Sequence, residues 1–254
     1  MKDARSTRAR CLPAPQDSNR NGDRRRLRRS RSPGAAPRHR GACCCRAGSL
    51  VRPSMTEEIS GAITEPITRA MPPWRPLLRA AMQREGRSVA ARWVQLATTG
   101  RDGAPRVRTL VFRGWAGADQ LELFSDQRSE KVTELANDGA AELCWLFPKA
   151  RQQYRLRGKV TLIKATEQPE LCQQRWQKLS DTGRAVWGWP TPADPLEPTA
   201  AFPDQLAETA PLPEHFVVLK LQVISVERLN LGPHPHQRTR WSADTLWQEQ
   251  PLNP

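Results

Sequence analysis

Between residues 152 and 164 the chain reads QQYRLRGKVTLIK, and its apolar and polar side chains alternate with a period of two. Tyr154, Leu156, Gly158, Val160 and Leu162 fall on one side; Gln153, Arg155, Arg157, Lys159 and Thr161 fall on the other. This is the pattern of a β-strand with one face in a core and the other toward water or a ligand. It has neighbours of the same kind. ARWVQLATTGRDGAPRVRTLVFRGWAGADQLELFS reads as three strands joined by Gly- and Asp-rich turns at TTGRDGAP and WAGADQ. AAELCWLF reads as a further, mostly apolar strand, and HFVVLKLQVISVERLNLG as a late one with Val217, Leu219, Leu221 and Val223 on one face.

Helical periodicity is confined to short segments. WRPLLRAAMQREG gathers Leu77, Leu78, Ala81 and Met82 on one face and stops at Gly86. EKVTELANDG gathers Val132, Leu135 and Ala136 and closes at Gly139, and PELCQQRWQKLSD turns Leu171, Cys172, Trp176 and Leu179 inward. From Trp187 to Pro213, prolines at 190, 192, 195, 198, 203, 211 and 213 exclude regular structure, and a long ordered loop of this kind tends to serve function. Six or seven strands in meander order with few helices predict a mainly β fold with short helices (α+β), an antiparallel barrel. A parallel sheet would need a crossover helix between each pair of strands. A small barrel closes its own edges and can hold a flat ligand at its rim.

Charge decides where the rest of the chain belongs. The formal net charge of +14 first suggests a nucleic-acid partner. Residues 1–54, however, hold 15 Arg/Lys and 3 Asp/Glu, leaving 25 basic and 23 acidic side chains for the other 200 residues. The nearly neutral body is therefore not expected to bind nucleic acid. The head, with RRRLRRSRSPG and no apolar periodicity, is expected to be disordered. It is compatible with a basic arm, a targeting peptide or an upstream stretch not normally made, and Met55 is taken as the working start. Only Cys144 and Cys172 lie in the body, in no metal-site or disulfide spacing, which points to a reducing, cytoplasmic setting without a bound metal. No run approaches the ~20 apolar residues of a membrane span, so no membrane partner is expected.

Three stretches carry chemistry. In FSDQRSEKVTELANDG the chain leaves a strand and enters a helix through Ser125, Arg128, Ser129 and Lys131. Unsatisfied N–H groups and the positive end of the helix dipole favour phosphate at such a place. The spacing fits equally an ordinary solvated helix start with Ser129 as N-cap. Arg108 and Arg113 sit on one strand with opposite parity, so a regular strand cannot aim both at one ligand without a bulge or twist. Gln153 and Arg155 share the polar face of a later strand, where an amide can read a heterocycle.

RVRTLVFR, LELFSDQRSEK, RQQYRLRG and the ending HPHQRTRW…LWQEQPLNP, in that order and spacing, resemble the pyridoxamine 5′-phosphate oxidase family, especially its branch with a long Pro-rich loop before the final strands. The resemblance covers about residues 72–254 and implies a split-barrel homodimer that binds FMN between subunits. Carried over position by position, Arg108, Thr109, Leu110, Val111 and Arg113 match the strand along the flavin and its phosphate. Phe124 and Ser125 match an aromatic–hydroxyl pair beside the cofactor, and Ser129 and Lys131 match the phosphate clamp. The family pattern has arginine where this chain has Glu130, and Arg128 is expected to supply that charge. Gln153 matches the glutamine facing the flavin ring. His236 and Arg238 match the catalytic pair beside substrate and flavin, with His234 at the position of a substrate-binding arginine. The Tyr, Arg and Ser that hold the substrate phosphate are replaced by Gln174, Lys178 and Thr182. The resemblance implies an oxidase that moves hydride from C4′ of pyridoxamine or pyridoxine 5′-phosphate to flavin, with O2 as final acceptor and hydrogen peroxide as product. An oxidoreductase or flavin reductase with another small-molecule substrate, or a flavin-binding protein without turnover, are the alternatives.

Overall fold

The computed structural model of the protein describes residues 70–254. The expected disordered head at 1–54 and the start at Met55 lie outside the described residues. Helix α1 spans Trp74–Glu85 and ends at Gly86, whose φ of 61° is reached without cost only by glycine. Strands β1 (Trp93–Thr99), β2 (Pro105–Trp115) and β3 (Gln120–Asp126) form the expected meander. Helix α2 (Glu130–Asn137) leads to β4 (Ala140–Phe147) and β5 (Gln152–Lys164). Helices α3 (Pro169–Gln177) and α4 (Asp181–Arg184) precede the Pro-rich loop, and β6 (Phe216–Asn230), β7 (Gln237–Ser242) and β8 (Gln250–Leu252) complete the chain.

All the strand pairs are antiparallel, in the order β3-β2-β1-β4-β5-β6-β7-β8. An additional pairing of β3 with β6, running from Gln120↔Gln222 to Asp126↔Phe216, closes the first six strands into a barrel. The tail accounts for the strands beyond the six or seven expected. Its last member, β8, carries Pro251 at its centre and forms an end of the sheet.

The barrel interior is filled by the period-two residues, among them Leu96, Leu123, Leu143, Trp145, Leu156 and Leu219, with Trp74 and Leu78 of α1 packed on the same cluster. The buried Glu85 is explained by the β4–β5 turn, because its carboxylate accepts from the backbone N–H groups of Lys149 and Ala150. A second apolar cluster lies outside the barrel wall, where Phe124, Ile163, Phe216 and Val218 meet Cys172, Trp176 and Trp187. It changes the expected burial in two places. In β5 the period-two rule fails after Thr161: Leu162 is half-buried and Ile163 is buried, because α3 covers the outer face there. In β6 consecutive residues from Phe216 to Leu219 are all buried, one parity facing the barrel and the other the second cluster.

On α2 the expected inward Ala136 is exposed, and Glu134 is buried in its stead. Glu134 has a reason to be inside: it accepts from Arg108 at 2.7 Å and from the Thr98 hydroxyl at 2.6 Å. Arg108 also donates to that hydroxyl.

Candidate functional site

A register shift between Phe112 and Gly114 breaks the pairing of β2 with β3. Arg113 stands in this bulge, with Gly114 at φ 152° behind it. The bulge removes the parity conflict on one side only. Arg113 turns into a cavity of about 770 Å³, whereas Arg108 stays with Glu134 and Thr98. Of the residues expected to bind cofactor, Thr109, Leu110, Val111, Arg113, Phe124 and Ser125 all line this cavity. The Arg113 guanidinium lies 5.6 Å from the centre of the Phe124 ring. Burial first, and then the neighbouring Arg92, push its pKa down. Arg113 makes no ion pair with a carboxylate among the described residues, so an anion is the partner its surroundings favour.

The opposite wall comes from α4 and the Pro-rich loop. Thr182, Val186, Trp187, Trp189, Asp194 and Phe202 are among its lining residues. Trp187 fixes this wall to the barrel: its Nε1–H donates to the Ser125 carbonyl at 3.2 Å, and its own carbonyl lies 2.9 Å from His215 Nε2. Its ring packs against Trp176 and Phe216, with centroids 5.7 and 5.2 Å away. The sequence flagged the loop by its prolines, but of this wall only Thr182 was named for a substrate-binding position. The rest carry no local motif, since their role comes from where the loop folds back.

Ser125 and Ser129 meet at the start of α2, and Lys131 follows two residues on. Ser129 occupies the N-cap position without capping, because its hydroxyl donates to the Asp126 carbonyl at 2.6 Å. The two serine hydroxyl oxygens are 3.4 Å apart. Lys131 is half-buried; burial and then the nearby Arg108 hold its ammonium below the ordinary lysine value. It makes no ion pair among the described residues, so a phosphate here would recover what burial costs. Arg128, expected to replace the charge missing at Glu130, folds back instead. Its backbone N–H and guanidinium both bond Asp126, and a further N–H donates to the Trp189 carbonyl at 3.2 Å.

The remaining expected residues lie elsewhere in the chain. Gln153 pairs with Leu229, and Leu229 with Arg238, so Gln153 and Arg238 share one cross-strand row over β5, β6 and β7. His236 is exposed just before β7, with Nδ1 3.2 Å from the Pro233 carbonyl. Arg238 is held by Glu227 at 2.5 Å. The cavity abuts Phe124, which pairs with Val218 and through it with Ile163. Ile163 is ten positions from Gln153 along β5, roughly 33 Å at the usual strand rise. Gln153, His236 and Arg238 do not line the cavity, so one chain presents two groups: the cavity with the α2 start, and the Gln153–Arg238 row with His236.

The donor set of the cavity and the adjoining α2 start fits FMN: two hydroxyls, two cations without carboxylate partners among the described residues and an uncapped helix start suit a phosphate, and the apolar walls suit a flat ring. Comparisons with known proteins agree. Residues 71–164 match the family model described as pyridoxamine 5′-phosphate oxidase, FMN-binding domain. The pyridoxine/pyridoxamine 5′-phosphate oxidase 2 of Arabidopsis thaliana is 31% identical over 195 residues, covering 72% of this chain and 97% of that protein. A pyridoxine/pyridoxamine 5′-phosphate oxidase of Sinorhizobium fredii is 29% identical over 143 residues, 53% of this chain and 66% of the relative. Among solved structures, a pyridoxamine 5′-phosphate oxidase-related, FMN binding protein from Nostoc punctiforme superposes with a TM-score of 0.67 at 33% identity, covering 73% of this chain and 100% of that one. PhzG from Burkholderia lata shares the fold, with a TM-score of 0.60 at 20% identity. With its six-strand barrel, the cavity at Arg113 and these relatives, the chain belongs to the pyridoxamine 5′-phosphate oxidase family of FMN-binding split-barrel proteins, a family of flavin-binding oxidoreductase type.

Proposed function

We propose that this protein is an FMN-dependent oxidase, working as a homodimer on a small organic substrate. The observation that carries the proposal is Arg113, turned by the β2 bulge into a cavity that also takes in Thr109–Val111, Phe124 and Ser125. Ser125, Ser129, Lys131 and Arg113 would hold the FMN phosphate and the adjoining chain, while Leu110, Val111 and Phe124 would bound the ring. The chemistry that FMN supplies when bound is two-electron: hydride leaves a substrate carbon, and the electrons pass to O2 to give hydrogen peroxide. The protein's own share is orientation, water exclusion and charge. Trp187 and the loop wall exclude water, and His236 and Arg238 position the group that loses hydride.

Dimerisation is part of the proposal because Gln153, His236 and Arg238 do not line the cavity that takes in the other site residues. A two-fold pairing lets the Gln153, His236 and Arg238 of one copy complete the cavity of the other. The relatives' names favour a B6 vitamer 5′-phosphate as substrate. A different substrate is favoured by the positions expected at the substrate phosphate, where Gln174, Lys178 and Thr182 stand and only Thr182 lines the cavity.

The purified protein should be yellow, release FMN on denaturation, and produce peroxide with its substrate. Lys131→Ala should lower FMN retention about tenfold or more, and Lys149→Ala, whose ammonium bonds the Glu85 carbonyl, should not. Equal retention in both variants sinks the phosphate assignment. For the dimer, Arg113→Ala and Arg238→Ala proteins should each be inactive and recover part of the activity on mixing. Mixing without recovery would refute the shared site.

A further inference from the structure

The loop wall of the cavity has a chemical character that neither the family match nor the flavin assignment explains. Four of the large apolar side chains left exposed among the described residues, Val186, Trp189, Leu196 and Phe202, all line it. Exposed apolar groups concentrated on one concave wall mark a ligand surface. Trp189 and Phe202 stack edge to face at 5.8 Å, and the Trp189 indole N–H is spent on the Pro203 carbonyl at 2.9 Å, so both rings are held in place.

The charges on this wall are acidic. Asp194 and Glu197 line it, and Arg113 is the one cation lining the cavity among the described residues. Three cations on neighbouring segments are engaged. Arg175 is locked to Glu122 by two bonds of 2.8 and 3.0 Å. Arg184 is 2% exposed and donates to the carbonyls of Leu179 and Leu206 and to Asp181. Arg128 is held by Asp126. Of Gln174, Lys178 and Thr182, only Thr182 reaches the cavity. On the other group of site residues, Arg238 is held by Glu227.

A phosphate dianion placed against this wall would lose its hydration and face two carboxylates, and the one cation lining the cavity among the described residues, Arg113, is assigned to FMN. We propose that the substrate of this protein is a flat, largely apolar molecule without a phosphate, neutral or cationic, seated between the flavin site and the Trp189–Phe202 wall. This rests on the reading of the cavity as the flavin site and names its substrate class.

The test is calorimetric titration of the full chain with pyridoxamine and with pyridoxamine 5′-phosphate, a pair that differs only by the phosphate. It is run on FMN-loaded protein and on protein stripped of flavin. Pyridoxamine should bind FMN-loaded protein at least about tenfold more tightly, since juxtaposed like charges are strongly disfavoured. The double variant Asp194→Lys/Glu197→Lys should narrow or reverse that preference. Leu196→Ala with Phe202→Ala should weaken pyridoxamine while leaving the flavin spectrum unchanged. Equal or tighter binding of the phosphate ester by the wild type, or no binding of pyridoxamine to yellow protein, overturns the substrate class and leaves the flavin site standing. Protein that takes up no FMN refutes the flavin reading instead, and the stripped-protein titration still decides between the two ligands.

Discussion

Gly158 lies where the β5–β6 pairing slips, between Arg157↔Ser225 and Gly158↔Val223. A Cβ built there would sit 2.0 Å from the Gln222 carbonyl oxygen and 2.9 Å from its carbon. Ordinary contact begins at 3.4 Å, so Gly158→Ala requires about 1.4 Å of relief, and the obstacle is backbone. Moving Gln222 away also strains its pairing with Gln120 across the seam that closes the barrel. Neither side of the clash can rotate out of the way, so the cost belongs at the upper end of overpacking, about 3 kcal/mol. For a domain of this size that is a fall in melting temperature of roughly 6 to 12 °C. The assay is thermal unfolding followed by circular dichroism, with Gly117→Ala as control, where the nearest atom is the flexible Gln120 side chain at 3.4 Å. If Gly158→Ala melts within about 1 °C of that control, the tight bulge described here is wrong.

Glu134→Gln should destabilise by about 2 kcal/mol, below the 3–5 of a fully buried broken pair, because the Arg108 side chain keeps 21% exposure; urea denaturation measures it, and no change would mean that Arg108 is not held there. Trp187→Phe keeps the ring contacts and loses the bond to Ser125, which should cost about 1 kcal/mol and lower FMN retention; unchanged stability and retention would free the loop from the barrel. Glu142 and Glu227 are partly buried, which alone would raise their pKa values, but the bonds from Arg155 and Arg157, and from Arg238 and Arg240, outweigh it and hold both below the ordinary 4.5. Their folded values lie below their unfolded ones, so the stability they contribute is present above 4.5 and lost as pH falls below it. Glu227→Gln should therefore make the melting temperature less dependent on pH below 4.5 than the wild type, and an identical slope would remove the role assigned to this ion pair.

Much of the barrel could be read from the period-two runs, because a sheet with one buried face writes itself into the sequence. The rule failed where a second layer covers the wall, at Ile163 and around Phe216 and Val218. A strand buried on both faces loses its alternation. The same limit applies to Glu134, whose burial depends on a guanidinium from another strand. The candidate site divided in a comparable way. The cluster along β2 and β3 was legible as ordered motifs, and the parity conflict of Arg108 and Arg113 pointed to a bulge, which exists. Which arginines stay free was not legible. Arg128 lies beside Ser129 in sequence, yet Asp126 captures it, a competition that only the folded turn decides. The Trp189–Phe202 wall had no motif, since it is made by a loop returning over the barrel.

The β8 strand has a consequence for how copies of this protein behave at high concentration. Closing β3 onto β6 leaves neither of those strands as a bare edge, but β7 and β8 continue past the seam and end in open backbone. An unpaired edge is a template onto which a foreign strand can add, and sheet proteins aggregate by that route. Here the exposed rung is Gln250–Leu252, and its central residue is Pro251, which has no N–H to offer. A strand arriving there finds three residues and a missing donor, too little for a growing sheet. The β7–β8 segment that brings Arg238 into the fold thus also carries the proline that blunts this edge of the sheet.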